Sequence, residues 1–72
     1  MQAVEVTRAG DLTVSDQLAE MQQWLDAERI RASDLHAVRI MRGRITFGAT
    51  FQNAADADRF IRAFGDLGWR KR

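Results

Sequence analysis

The chain has 72 residues, no cysteine, no proline, and eleven basic against ten acidic side chains, for a formal charge of +1. The missing cysteine excludes disulfides, thiolate zinc sites, iron–sulfur clusters and thiol nucleophiles together, and the one histidine, His36, cannot build a multi-histidine metal site. At this length only about 60% of the chain's surface can be buried on folding, so residues 1–72 read as one small domain, with one core or a core shared with a second copy. No apolar run approaches the roughly 20 residues that cross a bilayer, and Met1 to Glu5 do not open a targeting segment, so a cytoplasmic protein with no membrane partner is expected.

Residues 2–7 alternate with period two, which puts Val4 and Val6 on one face of a short strand and Ala3, Glu5 and Thr7 on the other. After the turn-rich Arg8-Ala9-Gly10-Asp11, Thr13 or Ser15 is placed to cap a helix, with Asp16 three residues beyond Thr13 as in a capping box. Val14, Leu18, Met21 and Leu25 form that helix's apolar stripe, and Trp24 lies at its margin. The helix is expected to stop near Glu28, with Arg29 left-handed and Ile30 returning onto Leu25 in a Schellman cap.

Two further alternations follow, Val38 and Ile40, then Ile45, Phe47, Ala49 and Phe51, with Arg42-Gly43 between them. A two-residue turn there pairs Ile40 with Ile45, Val38 with Phe47 and His36 with Ala49, and leaves Ala37, Arg39, Met41, Arg44, Thr46, Gly48 and Thr50 on the opposite face. Asn53 then caps a second helix whose buried stripe is Ala57, Phe60, Ile61 and Phe64, ended by Gly65 or Gly68. The remaining Trp69-Arg70-Lys71-Arg72 reads as a frayed basic tail over residues 69–72. The order β-α-β-β-α predicts an α+β two-layer sandwich, a three-stranded antiparallel sheet with two helices on one face, ferredoxin-like without a full fourth strand. The first strand then keeps one unpaired edge, which suits a homodimer.

The run Met21-Gln22-Gln23-Trp24-Leu25-Asp26-Ala27, the hairpin, and Phe51-Gln52-Asn53-Ala54-Ala55-Asp56-Ala57-Asp58-Arg59-Phe60 leading to Phe64-Gly65 resemble short uncharacterised α/β proteins of proteobacteria. The resemblance covers most of the chain and rests on core and capping residues, so it implies a fold and no activity. The order also resembles an RNA-recognition motif, and the octamer ending at Phe51 has Arg44 in the basic position, but it has Thr46 and Gly48 where that family carries stacking aromatics, and Phe47 and Phe51 fall on the buried face. The resemblance therefore implies no aromatic platform for single-stranded RNA.

Arg39, Arg42 and Arg44 concentrate guanidinium groups around the hairpin, and Arg70, Lys71 and Arg72 add a basic end, a pattern suited to phosphate or carboxylate partners. Arginine is also the chain's general solubilising cation, since ten of the eleven basic residues are arginine. Ala37, Met41, Thr46 and Trp69 are the candidate interface residues, exposed on the sheet face or tail beside arginine. Asp34 and His36, an apparent acid–base pair, lie about 7 Å apart by strand rise, and no nucleophile, carboxylate pair or glycine-rich phosphate loop stands near them. No catalytic, cofactor or metal residue is therefore assigned. Two function classes remain: a non-catalytic domain working through self-association or protein docking at the open edge or outer sheet face, and sequence-independent binding of nucleic acid or another anion through the arginines. The charge is also asymmetric along the chain, since residues 1–28 sum to −5 and residues 29–72 to +6.

Overall fold

The structure, a computed structural model, describes all residues from Met1 to Arg72. Strand β1 (Gln2–Ala9) buries Val4 and Val6 on its inner side, as its alternation requires. Helix α1 (Val14–Glu28) starts at Thr13, whose side chain accepts from the Asp16 backbone N–H at 3.1 Å. It ends in the expected Schellman geometry, with Arg29 left-handed (φ 58°) and the Ile30 N–H donating to the Leu25 carbonyl at 2.9 Å. Strands β2 (Ala32–Met41) and β3 (Arg44–Phe51) form a hairpin across Arg42-Gly43, where Gly43 supplies a φ of 73°. Helix α2 (Ala54–Phe64) is capped by the Asn53 side chain, which accepts from the Asp56 N–H at 2.8 Å, and closes at Gly65.

The sheet has four strands rather than three, because Trp69–Lys71 form a further strand, β4. The element order is β-α-β-β-α-β, the sheet order is β2-β3-β1-β4, and every neighbouring pair is antiparallel. Strand β4 pairs Val4 with Lys71, Glu5 with Arg70 and Val6 with Trp69, so most of what was expected as a frayed basic tail is sheet, and the expected open edge of β1 is covered. Backbone bonds from Thr7 to the Gly68 carbonyl and from Arg72 to the Ala3 carbonyl extend the cover, both at 2.9 Å. Three exposed side chains carry no hydrophobic alternation, which is why the strand leaves no periodic trace in the sequence.

The hairpin holds the expected turn, with Ile40 opposite Ile45 and Met41 opposite Arg44, but not the expected register beyond it. Ten residues of β2 lie against eight of β3, and the two extra residues appear as irregularities at Ser33/His36 and Ala37/Arg39. Ala37 is consequently opposite Phe47, and His36 opposite Gly48. The reason is volume matching: small Ala37 turns inward against Phe47, while Val38 turns outward over Gly48, which has no Cβ to meet it. A Cβ added at Gly48 would lie 2.8 Å from Val38 Cγ2 and 3.6 Å from His36 Cε1, so the glycine marks a close approach by the bulged strand.

Between the sheet's inner face and the helices lie Val4, Val6, Ile45, Phe47, Ala49 and Phe51, closed by Met21, Leu25, Ile30, Ala57, Phe60 and Phe64. Trp24 packs edge-on to Phe64, with ring centroids 5.4 Å apart, while Phe60 lies 5.1 Å from Phe51. Aromatic contacts of this kind stabilise by about 0.5–1.5 kcal/mol beyond their buried area. Both helices cover the same face, which leaves the other face of the sheet bare.

Candidate functional site

The outer face of the sheet is floored by Ala3, Glu5 and Thr7 on β1 beside Thr46, Gly48 and Thr50 on β3, all small but Glu5. Thr46, expected as an exposed interface residue, is buried there, and its hydroxyl meets that of Thr7 at 3.1 Å. The bulged strand β2 raises one wall, and β4 with Arg72 raises the other. Between them lies a depression of about 190 Å³ lined by Glu5, Asp34, His36, Val38, Gly48 and Arg72, among others. A second depression of about 120 Å³ continues from Glu5 toward the hairpin, where Arg39 and Arg70 face it from opposite walls.

Glu5 sits where the two depressions meet. Its side chain is only 7% exposed, and the Arg72 guanidinium pairs with it. The sequence places Glu5 on this face but gives no sign of its burial, which comes from the fourth strand. Asp34 and His36 do not form a carboxylate–imidazole pair: Asp34 takes a left-handed φ of 55°, and His36 Nδ1 contacts the Asp34 backbone carbonyl. No group of three His, Asp or Glu side chains is arranged to hold a metal ion. No helix is long and apolar enough to cross a membrane.

No family model, curated protein or solved structure matches this chain. What the surface can do therefore rests on its own charges.

The six basic residues singled out in the sequence divide into two sets. Lys71 pairs with Asp58 at 2.6 Å and Arg72 with Glu5, so both serve to dock β4. Arg39, Arg42, Arg44 and Arg70 have no carboxylate partner. Arg39 and Arg70 flank the second depression, and Arg42 and Arg44 continue the series onto the hairpin end. Of the four expected interface residues, Met41 and Trp69 are exposed, Met41 beside Arg44. Ala37 is turned into the core, and Trp69 lies on the helix side of β4, opposite Val6 and against Gly65.

The fold converts the charge asymmetry along the chain into one between layers. The two helices hold Asp16, Glu20, Asp26, Glu28, Asp56 and Asp58 against Arg59 and Arg62, a net −4. The four strands with Arg42 and Arg72 hold seven basic side chains against Glu5 and Asp34, a net +5. Fields from such segregated charge steer encounter and set which surfaces can meet.

Proposed function

We propose that this chain is a non-catalytic interaction domain that docks an acidic partner on the outer face of its sheet, with Arg39, Arg42, Arg44 and Arg70 as the contacting cations. The observation that carries the reading is that these four guanidinium groups lie on one face and the adjoining hairpin without internal carboxylate partners, while the acidic residues concentrate on the helices. A planar guanidinium gains most from a carboxylate or phosphate that reaches it in bidentate geometry. Face-to-face pairing of two copies is disfavoured by the same charges, since it sets arginine against arginine. The edges also discourage strand-by-strand pairing, because β2 is bulged and β4 is short and basic. As part of the same reading, we assign the β-α-β-β-α-β order, with sheet order β2-β3-β1-β4, to the ferredoxin-like topologies.

A second reading, nucleic-acid binding through the backbone, is favoured by the same unpaired guanidiniums and limited by the sheet face, which offers no stacking aromatic. The two readings separate in a titration against a labelled polyglutamate peptide and a labelled single-stranded oligonucleotide. Four phosphate contacts give a log–log salt slope of about −3 for a single strand. A chain carrying R39Q, R42Q, R44Q and R70Q is expected to lose at least tenfold in affinity for the polyglutamate peptide. Unchanged affinity for that peptide overturns the docking surface. Tighter, steeply salt-dependent binding of the oligonucleotide transfers the assignment to the second reading.

A further inference from the structure

We infer that the edge of β1 is an acceptor site for residues 69–72 of a second copy, so that the chain forms a dimer by exchanging β4. The inference is independent of the proposed docking surface and uses none of its four arginines as pairing groups, except that Arg70 travels with the strand. It starts from how lightly β4 is held. Its three residues are exposed, it pairs with no strand but β1, and beyond the backbone bonds it is fastened by two ion pairs, Lys71 to Asp58 and Arg72 to Glu5.

The surface beneath it is not light. With β4 in place Val4, Glu5 and Val6 are all buried, and a β1 without β4 would present a row of unpaired backbone groups beside the uncovered Glu5 carboxylate. That row recognises an extended strand, and two acidic side chains fix what the strand must carry: one cation for Asp58 on the helix side and one for Glu5 on the outer face. Residues 69–72 of a second copy meet both requirements in the register already observed.

The connection permits the exchange. Between α2 and β4 lies Gly65-Asp66-Leu67-Gly68, folded into a turn by the Gly68 N–H donating to the Gly65 carbonyl at 3.1 Å, with Gly68 at a φ of 135°. Two glycines allow this segment to extend, since glycine adopts open and folded backbone conformations with little steric cost. Every β4 contact is retained in the exchanged dimer, so the closed monomer is favoured only by the effective concentration of its own strand, on the order of millimolar for a short connection.

The test uses complementary charge reversal in the full chain. One chain carries E5K and D58K, its counterpart K71E and R72E. Each alone sets like charges against one another across β1 and β4, whereas an exchanged mixed dimer restores both ion pairs in both halves. The two chains are refolded separately and together at millimolar concentration, and mass and composition are read by size-exclusion chromatography with light scattering and by native mass spectrometry. The expected result is a one-to-one mixed dimer at least tenfold more abundant than either homodimer. Since E5K replaces a buried carboxylate and can impair folding, a second pair carries only D58K and K71E at the exposed bridge, with the same ordering expected at a smaller excess. Monomers alone from both pairs, or homodimers as abundant as the mixed species, overturn the inference.

Discussion

The Glu5 carboxylate and the Arg72 guanidinium, 67 positions apart in the chain, form an ion pair across the outer face of the sheet. The pair is unequal: Glu5 is almost wholly buried, while Arg72 is largely exposed. Removing the exposed member strands a buried charge, and neutralising the buried member strands only a solvated one. R72A is therefore expected to destabilise the fold by about 1–2 kcal/mol, and E5Q by less than about 1 kcal/mol, in urea unfolding. Equal losses from the two variants would contradict this asymmetry.

Gly48 and Val38 are matched in volume. Filling the Gly48 position forces a methyl group to 2.8 Å from Val38 Cγ2, a side-chain contact that Val38, stiff at its branched Cβ, relieves only by leaving its rotamer or shifting β2. G48A is expected to lower stability by about 1–3 kcal/mol, the usual range for overpacking. Adding V38A should recover part of that loss, so a double-mutant cycle measures the contact directly.

Arg29 ends α1 at a φ of 58° in a cap that ordinarily takes glycine. R29G removes the Cβ strain and leaves both capping bonds in place. Its expected effect is a gain of about 0.5–1 kcal/mol, read as a rise in Tm of a few degrees for a domain of this size. An unchanged or lower Tm would show that the cap is not strained.

Gln17 is buried in the core-facing stripe of α1, where its amide donates to the carbonyls of Ala9 at 3.0 Å and Leu12 at 3.1 Å. It thereby holds the turn between β1 and α1 against the helix. Q17L keeps the volume and removes both donors, and is expected to cost about 1–3 kcal/mol. Hydrogen exchange should show the loosening first at residues 10–13.

What the sequence made legible follows from which features leave a periodic or capping signature. Both helices, their caps at Thr13 and Asn53, the Schellman end at Arg29 and the hairpin turn are set by local patterns, and the structure has them. The β2 register was not legible, because inferring it from alternation alone ignores the vacancy at Gly48 that draws Val38 outward. Strand β4 was not legible either, since backbone pairing and ion pairs between residues far apart in the chain hold it. Both omissions fall on the candidate site: the bulges form one wall of the outer face, and β4 forms the other and buries Glu5. The arginines were visible from the start, but only the fold separates Arg72, which is spent on Glu5, from Arg39 and Arg70, which face one another across an open depression.

The most direct measurement of the docking surface is amide chemical-shift mapping of the full chain as a polyglutamate peptide is added. Docking on the outer sheet face predicts shifts confined to Arg39–Arg44, Thr46 and Arg70, fading as salt is raised, with α1 undisturbed. Shifts centred on α1 or α2, or none at a concentration that saturates binding by anisotropy, would contradict the assignment of the outer sheet face.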